Sequence, residues 1–393
     1  MVLISTLPNS LRLPTLEQRR PKGIGLSPYP FRSLIRYFLN ALFNGWFSYL
    51  NPDRQHMKLL AREGCIAHVN STESSISSFK VVFLGDIMVS RSGKPPQFTT
   101  DLKKVLEGAD VIVANLESPL VDDAKIIRRG LSLNFAMNRS FLSTICACNR
   151  TAKWVFSIAN NHVCDTSQKS TVDVSGVEAT INHIRIAVPG AEVIGAEIGA
   201  AKSVLSLQID KGPKVGIVGW TEVMNRDKKH YKKPIIRETD LTDAKMMQLK
   251  EAHDLLIGFA HGNEELSYYP LKKTRDRWMR LIDGKKFDFI VGHGPHVIQP
   301  AEKVGSQGLL FHSIGNFCSP LGKSQTKIGC IPEMTISYID GKVSRTDYKV
   351  HILQQHQETL SLNQDFKQNS QRYPGQIRRL KKIWKSLFEA QES

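Results

Sequence analysis

No apolar stretch in this 393-residue chain is long enough to span a bilayer. The nearest, LIRYFLNALFNGWFSYL at 34–50, is broken by Arg36, Asn40 and Asn44. It also begins too far along for an ordinary signal peptide. A helix there either lies at a membrane interface or packs on the domain. Cysteine is sparse too. Cys65, Cys146, Cys148, Cys164, Cys318 and Cys330 show no CxxC spacing and no framework density. That excludes a small disulfide-stapled fold and favours scattered reduced thiols. Acids are outnumbered, 37 Asp and Glu against 53 Lys and Arg, a net +16. The excess is +5 over residues 1–78 and +4 over 364–393, which leaves +7 between them. Such a balance points to anionic partners, whether phosphates, polyanions or a membrane surface. A solvated basic surface is the alternative. No motif interleaves aromatic with basic side chains, so nucleic acid has only net charge behind it.

What is present is the material of a core. Hydrophobic residues make up 41% and charged residues 23%. Residues 1–30, rich in Pro, Arg and Ser, carry little periodicity. NSTESSISS at 70–78 reads as a linker. From Lys80 a short apolar run recurs, each ending in a polar or small residue: KVVFLGD, DVIVANLE, WVFSIANNH, KVGIVGW, DLLIGFAHG, FDFIVGHGPH and GLLFHSIGN. Continuous runs of this length are the pattern of buried central strands. Between them, QFTTDLKKVLEGA, LTDAKMMQLKEAH and LKKTRDRWMRLID space their apolar residues as helices do. Asp340-Gly341 between two alternating runs signals a hairpin. The expectation is one α/β domain over 79–352 with a mixed or two-layered sheet. Residues 1–78 form a basic extension, and 353–393 a basic tail. Within that tail, GQIRRLKKIWKSLFEA puts Ile377, Leu380, Ile383, Trp384, Leu387 and Phe388 on one helical face and basic residues on most of the rest. Such a helix lies on an anionic membrane or docks on the domain.

Polar residues collect at the ends of the inferred strands: Asp86, Glu117, Asn161, His162, His261, His293 and His296. In α/β sheets ligands bind at the carboxyl ends of the strands. Carboxylates, imidazoles and an amide oxygen are the ligands a first-row divalent metal takes. A single such residue is more often a turn former or cap. Seven at successive strand ends point instead to a shared metal site. Two ions roughly 3.5–4 Å apart clamp the attacking and leaving oxygens of a phosphoryl displacement. A histidine outside the ligand set can then protonate the leaving alkoxide. Arg91, after GDIMVS, is a candidate contact for an anionic substrate. Glu264 and Glu265 follow the His261 turn, and Cys164 reads as a buried small side chain rather than a nucleophile.

GDIMVSR, ADVIVANLESPL, SIANNHVCD, FAHGNEE, FDFIVGHGPHVIQPAE and LLFHSIGNF occur in that order. Together they resemble the CapA-type poly-γ-glutamate capsule biosynthesis proteins of the calcineurin-like metallophosphoesterase superfamily, over essentially all of 79–352. The resemblance implies a four-layer α/β/β/α sandwich with one or two divalent ions, manganese, iron or zinc. It makes Asp86 a first-metal ligand, Glu117 the bridging carboxylate, and Asn161 and His261 second-metal ligands. His293 and His296 become the closing pair, and His162 the proton donor. It also implies hydrolysis of a phosphate ester by metal-bound hydroxide, a link to an anionic capsule polymer, and a cell-envelope or membrane-associated setting. The scattered thiols point to the cytoplasm. The alternative is a non-hydrolytic accessory protein that binds polyanion or metal in a membrane-associated capsule assembly. Four departures stand out. Met88 occupies the place of a superfamily histidine, Gly294 replaces the middle histidine of GHHPH, the HWG turn is here HGN, and TSQKSTVDVSG is longer than the family's turn.

Overall fold

The computed structural model describes residues 31–42, 77–121, 128–129, 132–133, 135–163, 174–224, 235–262, 264–305, 308–362, 375–376 and 378. Its centre is the strand Ser77–Ile87, which starts inside the stretch that reads as linker. This strand pairs in parallel with Val111–Leu116, and that in turn with Lys153–Ser157. On its other side it pairs antiparallel with Ile328–Ile339 and, beyond the bulge near Asp86, in parallel with Asn316–Cys318. The first sheet is therefore mixed. It reaches Thr359–Leu362, past the boundary at 352 drawn from sequence. A second sheet of six strands runs Ala301–Val304, Gly308–Phe311, Phe289–His293, Leu255–His261, Lys214–Thr221, Val204–Gln208.

The apolar runs make these strands because each is buried on both faces. In Ser77–Ile87, Val81 and Phe83 join a core between the sheets, where Phe83 stacks on Phe259 with ring centroids 6.4 Å apart. Val82 and Leu84 point the other way, onto the helices Thr100–Glu107, Arg139–Cys146 and Val174–Ala187. The second sheet repeats this arrangement. Ile257 and Phe259 face inward. Leu256 and Ala260 face the helices Asp243–Glu251 and Lys272–Asp283. Strict alternation along continuous apolar strands thus produces four layers, α/β/β/α, as the resemblance implies. The hairpin forms at Asp340 (φ 49) and Gly341 (φ 79), both in the left-handed region that such a turn requires.

One apolar run divides. GLLFHSIGN gives Gly308–Phe311 in the second sheet and Asn316–Cys318 in the first. Residues 312–315 cross between the layers, where Ile314 N–H donates to Gly292 O at 3.1 Å and Gly315 turns at φ 69. Asp86 N–H donates to Gly315 O at 3.2 Å, and a Cβ on Gly85 would lie 2.1 Å from that oxygen. Glycine at 85 lets the crossing segment lie directly on the Asp86 strand.

In the helix Phe31–Leu42, Asn40 is buried and Ala41 packs on the inter-sheet core, while Ile35, Phe38 and Leu42 are exposed. Most of the stretch that reads as a basic C-terminal helix, and residues 1–30, lie outside the described residues. Of that tail, Gln376 is buried, and its Nε2 donates to Tyr268 Oη at 3.3 Å. No helix among the described residues is long and apolar enough to cross a membrane. Cys146, Cys148, Cys318 and Cys330 are free thiols, and Cys65 and Cys164 lie outside the described residues.

Candidate metal centre

The two sheets bring the carboxyl ends of their parallel strands to one place. In the first, Asp86 stands in register with Asn115 on one side and Asn316 on the other. In the second, His261 stands in register with His293. Asp86 and Glu117 therefore approach His261, His293 and His296 across the gap between the layers. His293 Nδ1 lies 3.2 Å from Asp86 Oδ1, and His296 Nδ1 lies 3.0 Å from Asp86 Oδ2. His261 Nε2 lies 3.3 Å from Glu117 Oε1, and His296 Nε2 lies 3.7 Å from the same oxygen. All five side chains are buried.

The turn carrying His296 is backbone-driven. Gly294 sits at φ 103, and a Cβ there would lie 2.4 Å from Gly262 O. Only glycine fits, so this loop has no room for the histidine that GHHPH places there. His296 itself adopts φ 58. For a non-glycine residue that is a strained conformation, of the kind functional sites retain.

The electrostatics follow from burial and crowding. Burial raises Asp86, but hydrogen bonds and charge from His293 and His296 outweigh it and hold the carboxyl well below the usual carboxylate range. Burial, and then the charge of Asp86, pushes Glu117 up to about 8. Burial pulls His261 down to about 4 and lowers His293 too. For His296 burial works downward, but Glu117 and Asp86 outweigh it and carry it up to about 10. Burial thus works against charge on both Glu117 and His261.

The donor set fits a divalent cation. Ligand atoms of Asp86, Glu117 and His296 all lie within 4.8 Å of one another. Glu117 Oε2, His261 Nδ1 and His293 Nε2 are buried and have no hydrogen-bond partner among the described residues. An unpartnered buried acceptor is costly, and two imidazole nitrogens and a carboxylate oxygen are metal ligands. A cation would also offset the repulsion between two buried acids.

Asn161 and His162 are buried on the turn after Lys153–Ser157. The His162 ring meets Phe135 edge-on at 4.7 Å, and its charge reaches Glu117 and His261. Arg91 is exposed in the turn beyond Ser77–Ile87 and makes no hydrogen bond or ion pair to the cluster among the described residues. Met88 is fully buried in the apolar core. Glu264 turns away, accepting from Leu271 N at 2.7 Å and Thr274 Oγ1 at 2.5 Å. Glu265 is half-buried, and its charge reaches Glu117, His261 and His296.

Three amides were missed by sequence reasoning. Asn115 Nδ2 donates to Asp86 Oδ1 at 2.7 Å. Asn160 Nδ2 donates to Leu116 O at 2.8 Å, and its Oδ1 accepts from His162 N at 3.1 Å. Asn316 Oδ1 lies 3.0 Å from His296 Nδ1, while its Nδ2 donates to Thr326 O at 3.0 Å. Their signal was an asparagine towards the end of three apolar runs: ANLE, ANNH and SIGN.

A profile of the family described as bacterial capsule synthesis protein PGA_cap matches residues 80–320. The chain belongs to this family. The PGA biosynthesis protein CapA of Bacillus subtilis (strain 168) is 25% identical over 62% of this chain and 64% of its own length. The capsule biosynthesis protein CapA of Bacillus anthracis is 25% identical over 68% of this chain and 65% of its own. The matched region thus spans just under two thirds of each curated relative. A calcineurin-like phosphoesterase from Bacillus subtilis, YfkN, overlays with a TM-score of 0.39 and 10% identity, covering 70% of this chain and 90% of its own. That overlap is too loose to bear on activity.

Proposed function

We propose that this member of the capsule synthesis family is a metal-dependent hydrolase that cleaves a phosphate ester during the making or export of poly-γ-glutamate. The observation carrying this reading is the buried meeting of two carboxylates and three imidazoles at the carboxyl edges of two facing sheets, with three of their polar atoms unpartnered among the described residues. Asp86, Glu117, Asn161, His261, His293 and His296 would hold one or two divalent ions, manganese, iron or zinc. When bound, such ions supply Lewis acidity at a phosphoryl oxygen.

The chain's own residues do the remaining work. Asn115 orients the Asp86 carboxylate, and Asn316 steadies the His296 ring. His162, held beside Phe135 and over the Asn160 turn, gives its proton to the leaving oxygen. Burial keeps bulk water away from these charges and strengthens their field. Arg91, exposed and basic, would contact the anionic substrate. The curated relatives are named for PGA and capsule biosynthesis, which supports the same process here. A cell-envelope setting is part of the reading, with peripheral contact through the basic C-terminal helix.

Met88 favours a second reading. It is apolar and fully buried where the superfamily has a histidine, so it offers no ligand. A non-hydrolytic accessory protein holding polyanion or metal in the same pocket would tolerate that loss. Turnover decides between the two. Manganese-loaded protein should cleave a generic phosphodiester or monoester, and Asp86→Ala and His162→Ala should not. If metal binds stoichiometrically and neither ester is turned over above the variants, the accessory reading replaces the hydrolase.

A further inference from the structure

The start of the helix Lys272–Asp283 contributes no carboxylate or imidazole to the cluster, yet it grips the segments that carry them. Glu264, just past His261, accepts from Leu271 N and Thr274 Oγ1 as a cap on this helix. Glu302, just past the His296 loop, takes Arg275 in a fork: Nε donates to its two oxygens at 2.8 and 2.9 Å, and Nη2 to Oε2 at 2.5 Å. The other side of Glu302 meets His312 Nε2 at 2.5 Å, on the segment leading to Asn316. Trp278 stacks over His312 with an interplanar angle of 11° and donates its indole N–H to Glu222 Oε1 at 3.1 Å. The backbone N–H of Glu222 in turn donates to His261 O at 2.9 Å.

The two gripped loops are also stitched to each other. Leu266 N donates to Pro295 O at 2.9 Å, and Gln299 Nε2 to Ser267 O at 2.8 Å. Gln299 N donates to Ser313 O at 3.0 Å, and His312 N to Pro300 O at 3.1 Å. The loops of His261 and His296 and the crossing segment before Asn316 therefore form one body fastened to one helix. Buried ion pairs of this kind rarely add more stability than apolar residues of the same shape would. What the Arg275–Glu302–His312 chain does supply is a fixed direction. A bidentate fork on one face of Glu302 and an imidazole on the other leave the carboxylate a single orientation. Its strand then leaves the His296 loop at a fixed angle.

We propose that Arg275, acting through Glu302 and His312, is a positioning residue of the metal centre: it sets where His296 and Asn316 stand relative to Asp86. This rests on reading the cluster as a metal site. Outer partners of metal ligands characteristically tune affinity by roughly 10–100-fold.

The test uses the full chain as wild type, Arg275→Met, Arg275→Lys and Lys272→Ala. Lys272 lies on the same helix and, among the described residues, pairs with Asp276 alone. Two readouts are taken: amide hydrogen exchange in peptides covering 294–300 and 312–316, and manganese affinity by calorimetry with the spin-resonance spectrum of the bound ion. In Arg275→Met, exchange should quicken in both peptides, manganese should bind roughly 10–100-fold more weakly, and the spectrum should broaden. Lysine keeps the charge without the fork, so Arg275→Lys should recover part of the affinity. Lys272→Ala should match wild type. Unchanged exchange and affinity in Arg275→Met would overturn the proposal, as would an equal effect from Lys272→Ala. If the methionine variant does not fold, unchanged exchange in Arg275→Lys overturns it. A wild-type protein that takes up no manganese contradicts the proposed function instead, and the exchange arm still decides whether Arg275 orders these loops.

Discussion

At the scale of single residues, the sequence shows chemistry but not orientation. Asp86, Glu117, His261, His293 and His296 are legible because each ends an apolar run, and buried strands deliver their last residue to a sheet edge. The amides of Asn115, Asn160 and Asn316 are not legible, because their partners are set by register between strands distant in sequence. Asn316 meets His296 only because the chain changes sheets between residues 312 and 315. Glu264 and Glu265 are neighbours in sequence, but one caps a helix while the charge of the other reaches Glu117. Two predictions belong here. His162→Ala should keep its metal and lose roughly 10²–10⁴-fold in ester turnover, the usual weight of a general acid. Equal losses of metal and turnover would make His162 a ligand instead. Gly294→Ala puts a Cβ against Gly262 O in a left-handed conformation. It should lower unfolding free energy in urea by about 1–3 kcal/mol, and an unaltered midpoint would mean that the loop can relax.

At the scale of elements, continuous apolar strings identify strands well, and spaced ones identify helices. They fail where a run serves two sheets: GLLFHSIGN is one string in sequence and two strands in space. Hydropathy does not encode a crossing, whereas Gly315 at φ 69 does. The strand Ala301–Val304 carries the acid that ties this region together. Burial works to raise Glu302, but hydrogen bonds from His312 and Arg275 outweigh it and bring it down to about 2, from 4.5. A carboxyl lowered in the folded state stabilises above its unfolded value. That contribution is complete above about pH 4.5 and is lost as pH falls towards about 2. Thermal unfolding of Glu302→Gln should therefore depend less steeply on pH than wild type in this window. Identical slopes would show that the Arg275–Glu302–His312 chain does not hold its charge in the folded state.

At the scale of the whole molecule, the four layers follow from strands apolar on both faces, but their pairing order does not. Nothing in KVVFLGD announces that its strand is central and flanked by both parallel and antiparallel neighbours. The family resemblance gives the layering, and the register gives the site. Charge is a whole-molecule property as well. The +16 is shared among both ends and the middle, and the +4 of residues 364–393 falls on the stretch whose spacing reads as an amphipathic helix. The 393-residue chain should bind anionic vesicles and lose that binding as salt rises past the screening range. A chain ending at residue 363 should bind less. Salt-independent binding, or none, would assign the tail to the domain, where Gln376 already meets Tyr268.

The central claim is that the buried acids and imidazoles form a metal centre, and direct metal titration tests it. Purified protein, stripped with chelator and titrated with manganese, should take up one or two ions per chain with micromolar or tighter affinity, and Asp86→Ala should lose at least one of them. No uptake by the wild type, or equal uptake by Asp86→Ala, would contradict the account.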